Sequence, residues 1–201
     1  LIGSKEGILH ITLAFVNPGD EVLVPNPGYP TYTSLSKILG AKVVNYNLDE
    51  DNGWQPDFEE LEHRDLSRVK LMWTNYPNMP TGGDARMETY SKLVDFARRH
   101  DIVVVNDNPY SFILNEHPLS LLQVEGAKDC CIELNSMSKG YNMPGWRVGM
   151  CVSNPLFISW ILKIKSNIDS GTFRGLQLAA AEALTTNTEE WHREYNINVY
   201  R

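Results

Sequence analysis

Residues 136–147 read Ser-Met-Ser-Lys-Gly-Tyr-Asn-Met-Pro-Gly-Trp-Arg, which sets one lysine, Lys139, behind two serines and eight residues ahead of Arg147. These residue types can carry one connected piece of chemistry. A primary amine attacks an aldehyde to form a Schiff base. The hydroxyls of Ser136 and Ser138, with the Arg147 guanidinium, can hold a dianionic phosphate beside it. Together they suit a phosphorylated aldehyde cofactor. A lone lysine is otherwise a solvated surface charge, but the small neighbours Ser138 and Gly140 leave room here for a bulky ring.

Three further segments offer complementary groups. Asp107 and Tyr110, in Asn106-Asp107-Asn108-Pro109-Tyr110, follow the apolar run 102–105. An aspartate at the end of a buried strand is costly unless paired. A protonated pyridine nitrogen is a fitting partner, because a carboxylate keeps such a ring cationic and electron-withdrawing. Tyr110 can then reach the ring's phenolate oxygen; the alternative is a plain turn aspartate followed by Asn108-Pro109. In Asn75-Tyr76-Pro77-Asn78-Met79-Pro80-Thr81-Gly82, two prolines stiffen the loop and Gly82 releases it. The Asn78 amide, held rigidly, can donate to the same oxygen, whereas Pro77, Pro80 and Gly82 are explained by loop geometry alone. Gly3-Ser4-Lys5-Glu6-Gly7 opens a helix whose free N–H groups favour a phosphate, although Ser4 also reads as an ordinary N-cap. Tyr29, in Pro27-Gly28-Tyr29-Pro30, can stack on a ring face or serve as a core tyrosine.

Strands and helices alternate along the chain and place these groups. The pattern predicts helices over 7–16, 29–39, 56–63, 84–100, 155–164 and 176–184, and strands over 21–25, 42–46, 69–73, 102–105, 131–134 and 148–152. In 84–100, Met87, Tyr90, Leu93, Val94 and Ala97 fall on one helical face. The run 102–105 is apolar throughout, as expected of a strand covered on both faces. Such alternation argues an α/β domain with a mostly parallel sheet sandwiched by helices in three layers. Ligands bind such sheets beyond the carboxyl ends of the strands, and the candidate residues of the strand–loop segments lie just after strands.

Composition narrows the class. The chain has 201 residues, 42% of them hydrophobic and 21% charged, which suits one good-sized globular domain rather than a disordered chain. No apolar run approaches the roughly 20 residues a bilayer helix needs. With a net charge of −7 and no basic stripe, neither nucleic acid nor a membrane is expected as a partner. Any phosphate must be held by a local site. Cys130, Cys131 and Cys151 lack metal-ligand spacing, read as small buried hydrophobes and suggest a reducing, cytoplasmic compartment. No metal site is expected. The opening at Leu1 is not a signal peptide. The final residues stop inside a helix-like pattern, so a piece of a longer protein is expected: 1–185 a cofactor-binding large domain incomplete at its N-terminus, and 186–201 the start of a connecting helix towards a small domain.

The segments together resemble the class I/II aminotransferase family of fold-type I pyridoxal-phosphate enzymes. Asn78-Met79-Pro80-Thr81-Gly82 is similar to the family's Asn-Pro-Thr-Gly signature, with Met79 a departure in the run before Pro80. Asp107-Asn108-Pro109-Tyr110 resembles its Asp-x-x-Tyr, and Ser136-Met137-Ser138-Lys139 with Arg147 its Ser-x-Ser-Lys and downstream arginine. Asn78 and Asp107 lie 29 residues apart, and Asp107 and Lys139 lie 32 apart, also as in the family.

The resemblance implies pyridoxal 5'-phosphate as cofactor, with Lys139 forming the Schiff base and shuttling the substrate Cα proton. It implies Asp107 on the ring nitrogen, Tyr110 and Asn78 on the ring oxygen, and Tyr29 stacked on the ring. Ser4, Lys5 through its backbone, Ser136, Ser138 and Arg147 would hold the phosphate. The implied reaction moves an amino group between an α-amino acid and an α-keto acid, in a homodimer whose substrate-carboxylate arginine lies elsewhere. All the residues named serve the cofactor. A lyase, synthase or decarboxylase of the same fold, or an aminotransferase-like regulatory domain, therefore stays open, and the amino acid is not readable.

Overall fold

Short β-branched runs form strands that share a single sheet, and the amphipathic stretches between them return the chain along its faces. The computed structural model describes residues 1–186 and 188–200. In chain order the elements are α1 (Ser4–Phe15), β1 (Glu21–Asn26), α2 (Pro30–Ile38), β2 (Lys42–Asn47), α3 (Phe58–Glu62), β3 (Val69–Thr74), α4 (Met87–His100), β4 (Val103–Asp107), α5 (Ala127–Cys130), β5 (Cys131–Ser136), α6 (Met137–Gly140), β6 (Gly149–Val152), α7 (Pro155–Lys165), α8 (Arg174–Thr185) and α9 (Thr188–Tyr195). The strand order is β2-β1-β3-β4-β5-β6. All neighbours are parallel except β5 and β6, which are antiparallel.

The period-2 alternation of the strands sorts side chains to two cores. Leu71 and Trp73 of β3, Val105 of β4, and Ile132 and Leu134 of β5 face Ile8 and Ile11 of α1, Tyr32 of α2 and Ile161 of α7. Met72, Val104 and Cys131 face the other way, onto Tyr90, Leu93, Val94, Phe96 and Ala97 of α4. The result is the three-layer α/β/α arrangement expected from the sequence. Cys130 and Cys131 are buried with free thiols, and Cys151 is half-buried and free.

Helix α4 begins at Met87 rather than at 84, because the carbonyls just before it are bonded outside the helix. The Gly83 oxygen accepts from the Asn78 N–H at 2.8 Å. The Asp84 oxygen accepts from Gln55 Nε2 at 3.1 Å. Met87 then lies in the first turn and is exposed, so the buried face runs through Tyr90, Leu93, Val94 and Ala97 and adds Phe96. Helix α2 ends near its expected stop, where Gly40 takes φ 79°, a left-handed conformation that glycine adopts without a steric penalty.

The parallel strands all end at one edge. The register Thr74↔Asn106 aligns the ends of β3 and β4. The register Asp107↔Leu134 then brings the end of β4 beside β5, just before Ser136. The N-terminus of α1 and the Tyr29 turn before α2 come to the same edge, where the site lies.

Leu71 has no exposure and sits in mid-sheet under α1. In the full-length protein, Leu71→Ala is expected to cost about 2–5 kcal/mol, read as a lower urea midpoint. Exposed Leu114→Ala should stay within about 0.5 kcal/mol of wild type.

Candidate active site

At the carboxyl edge of the sheet a cleft of about 300 Å³ opens, large enough for a small aromatic ligand. Its walls include Ser4 and Lys5 from α1, Tyr29 before α2, Asp107 and Tyr110 after β4, and Ser136, Ser138, Lys139 and Arg147 around α6. Nine of the ten residues singled out in the sequence thus meet in one cleft. The tenth, Asn78, does not line it. Its Nδ2 donates to Thr81 Oγ1 at 2.8 Å, which folds the buried amide back into its own loop. The adjacent Met79 faces the cleft instead, along with Asn75. The difference is local: the loop is closed by Asn78 N–H to Gly83 O and Gly82 N–H to Asn78 O, so Asn78 is the residue turned inward.

One end of the cleft is built for an anion. The Arg147 Nη2 donates to the Ile2 carbonyl at 2.8 Å, and Nη1 donates to the Pro144 carbonyl at 2.7 Å. A longer contact of 3.4 Å reaches Ser138 Oγ. Ser136 caps α6 by accepting from the Ser138 N–H at 3.2 Å, and its hydroxyl donates to Ser138 Oγ at 3.1 Å. Gly3 takes φ 95°, and a Cβ there would collide with the Arg147 guanidinium. The backbone at the start of α1 can therefore approach the arginine closely only as glycine. Guanidinium, two hydroxyls and the N–H groups of a helix start converge as a phosphate requires.

The other end is organised by Asp107, which is 4% exposed. Its Oδ2 accepts from the Tyr32 hydroxyl at 3.0 Å. The Ser4 hydroxyl lies close but is not aligned for a full hydrogen bond, and Oδ1 has no partner. Burial pushes the carboxyl up to about 6, with Tyr32 and Ser4 only partly offsetting it. Tyr32 is stacked on Trp73 at 4.9 Å and 7°, and its phenol is pushed well up by burial and then by the Asp107 charge. A buried carboxylate with an unpartnered oxygen can accept from a cationic N–H donor brought into the cleft.

Lys139 Nζ is exposed and lies 6.0 Å from the centre of the Tyr110 ring. Burial, and then the Asp107 charge, raise the Tyr110 phenol, which keeps it a neutral donor. Lys5 Nζ sits 5.4 Å over the Tyr29 ring. Burial alone would raise Tyr29, but hydrogen bonds from Lys5 and Thr31 and the Lys5 charge outweigh it, and the phenol is lowered.

A buried polar layer beneath the cleft is not marked by any motif in the sequence. Glu133 on β5 accepts from the Leu121 N–H at 2.8 Å, from Asn106 Nδ2 at 3.3 Å and from Asn108 Nδ2 at 3.3 Å. Asn106 also donates to the Tyr90 hydroxyl at 3.0 Å, and Asn75 donates to the Asp107 carbonyl at 2.6 Å. These bonds hold the loops after β3 and β4 in place. The polar residues Asn106 and Glu133 inside otherwise apolar strands were the available signal.

The geometry has counterparts among known proteins. The family model described as aminotransferase class I and II matches residues 1–199. The LL-diaminopimelate aminotransferase of Aquifex aeolicus (strain VF5) is 46% identical over 192 residues, covering 94% of this chain and 50% of the relative. One from Dehalococcoides mccartyi (strain CBDB1) is 45% identical over 94% of this chain and 49% of the relative. Among solved structures, BacF from Bacillus subtilis in its apo form superposes with a TM-score of 0.92 at 40% identity, covering 97% of this chain and 51% of that one. A Thermus thermophilus aspartate aminotransferase double mutant gives 0.91 at 27% identity, covering 100% of this chain and 52% of that one. The fold is therefore that of the aminotransferase-type α/β/α domain. The chain belongs to the class I and II aminotransferase family, and the cofactor of that family is pyridoxal 5'-phosphate. The chain spans about half the length of the curated relatives it matches.

The raised Asp107 pKa has a thermodynamic consequence. A carboxyl whose folded pKa, about 6, exceeds its ordinary 3.8 stabilises the fold in its protonated form, fully below pH ~4, and that contribution is lost as pH rises through about 6. Asp107→Asn in the full-length protein without cofactor should therefore be more stable than wild type at pH 8, by about 3 kcal/mol. The difference should vanish near pH ~4. Urea denaturation at the two pH values measures it, and equal differences at both would contradict the burial argument.

Proposed function

We propose that the whole protein is a pyridoxal-phosphate-dependent aminotransferase that moves an amino group between an α-amino acid and an α-keto acid. The observation that carries this reading is the cleft in which Lys139, the free oxygen of Asp107 and the anion-binding end at Arg147 come together. When bound, the cofactor supplies an aldehyde that takes up an amine and a cationic ring that draws electrons away from the substrate Cα.

The chain's own residues supply the rest. Arg147, Ser136, Ser138 and the backbone N–H groups of Ser4 and Lys5 at the start of α1 would bind the phosphate and fix the ring's position. Asp107 Oδ1 would accept from the ring N–H, and the positive charge brought there would stabilise the carboxylate and relieve the cost of burying it. Tyr29 packs on a ring face. The Tyr110 hydroxyl donates to the ring oxygen. Lys139 would be the amine nearest the aldehyde, and its Nζ, when free, would be placed to take the proton from the substrate Cα. Its exposed position leaves the side chain free to swing between these tasks.

Two of the most similar curated relatives carry the name LL-diaminopimelate aminotransferase. Their 45–46% identity supports a diamino dicarboxylic acid as the amino donor, ahead of the lyase, decarboxylase and regulatory alternatives. We take residues 1–185 as the large, cofactor-binding domain and 186–201 as the start of the connection to a small domain. A homodimer is supported by the apolar side chains left uncovered on and between α7 and α8, among them Leu162, Phe173 at 75% exposure and Leu178. No helix among the described residues is long and apolar enough to cross a membrane. The acidic charge and the unpaired cysteines support a cytoplasmic enzyme without nucleic-acid partners.

Full-length protein supplied with pyridoxal phosphate is expected to show a visible absorption band and to transaminate LL-diaminopimelate. Lys139→Ala should lose the band and at least about 10²-fold in turnover. A wild type that stays colourless would refute the cofactor assignment. A coloured wild type inactive on this donor would refute the substrate assignment alone.

A further inference from the structure

The loop after β3 presents a thioether where the sequence suggested an amide. Asn78 is 3% exposed, and its Nδ2 and backbone N–H are bonded to Thr81 and Gly83 within the loop. The Met79 N–H donates to Asn75 Oδ1 at 2.8 Å, and its half-buried side chain lines the cleft. The neighbouring Asn75 amide is tied to backbone: its Nδ2 donates to the Asp107 carbonyl at 2.6 Å. Turning the Asn78 side chain into the cleft would break its bond to Thr81 while the backbone closures of the loop keep Met79 on the cleft wall. The arrangement is therefore built in.

We infer that Met79 is a cofactor-contacting residue that tunes this site: it packs its thioether against the ring edge and leaves Tyr110 as the side-chain donor to the ring oxygen. The inference rests on the cofactor reading given above. A thioether sulfur packs well against an aromatic edge but donates no hydrogen bond. A ring oxygen with one donor fewer keeps more negative charge, and that charge holds the proton on the adjoining Lys139 nitrogen more firmly. The loaded protein should therefore keep this nitrogen protonated to a higher pH than an otherwise identical protein with an amide at position 79. The other charged or titratable groups facing this point are Lys5 from α1, Tyr29 and Tyr32 from the α2 segment, Asp107 and Tyr110 after β4, and Arg147 before β6. None of them is altered by a change at position 79, so the comparison isolates the wall residue.

The test is a pH titration of the visible band of the full-length protein loaded with pyridoxal phosphate. Met79→Asn should lower the midpoint by about one pH unit, a tenfold change in proton affinity. Met79→Gln, which matches the length of methionine, should move it the same way if the asparagine variant does not fold. Met79→Leu removes the sulfur but adds no donor, and should keep the wild-type midpoint. An unchanged or raised midpoint in the amide variants, or a leucine variant that falls with them, overturns the inference. A wild type without a visible band is a separate result: it removes the cofactor reading itself.

Discussion

Burying the Asp107 carboxylate at the end of β4 is the constraint around which the carboxyl edge of the sheet is arranged. The group is nearly enclosed, and burial, only partly offset by Tyr32 and Ser4, pushes its pKa up to about 6. The protein compensates only in part: one oxygen takes the Tyr32 hydroxyl and the other is left open. Tyr32 itself is locked by stacking on Trp73, a β3 side chain with no exposure. The charge site and the hydrophobic core are thus one piece of construction. A cation brought to Oδ1 would complete it, and would link ligand binding to stability through that single atom.

Around this point the site is assembled from elements far apart in the chain, each contributing a backbone end rather than an interior. The start of α1, the ends of β3, β4 and β5, and the Arg147 turn all meet there. Their loops would be free to wander without the Glu133 layer below, where one carboxylate gathers Asn106, Asn108 and the Leu121 N–H. Glu133 is raised by burial and drawn back in part by these donors. The loops that line the cleft thus rest on a polar network beneath it, centred on Glu133.

Several parts of this arrangement were legible in the sequence. The valine run of β4 marked a strand covered on both faces, and a charged residue at its end marked a site. Ser136-Met137-Ser138-Lys139 and Arg147 carried their chemistry in residue type and spacing, since a short turn brings neighbours in sequence together in space. Other parts were not. The helical periodicity from 84 does not show the start of α4 at Met87, because it records neither the loop bond from Asn78 to the Gly83 carbonyl nor the long-range bond from Gln55 to the Asp84 carbonyl. Glu133 gave no motif because its partners come from two separate segments, the end of β4 and the turn at Leu121.

The sequence by itself determined which groups this protein can bring to a ligand: an amine, a carboxylate, a phenol, an arginine and serines, placed after strands by hydrophobic periodicity. Only the tertiary structure decided which of two adjacent side chains, Asn78 or Met79, faces the cleft. Side-chain direction in an irregular loop is set by which backbone groups close the loop. Here those bonds run to Thr81, Gly83 and Asn75, and no local pattern of residue types specifies them.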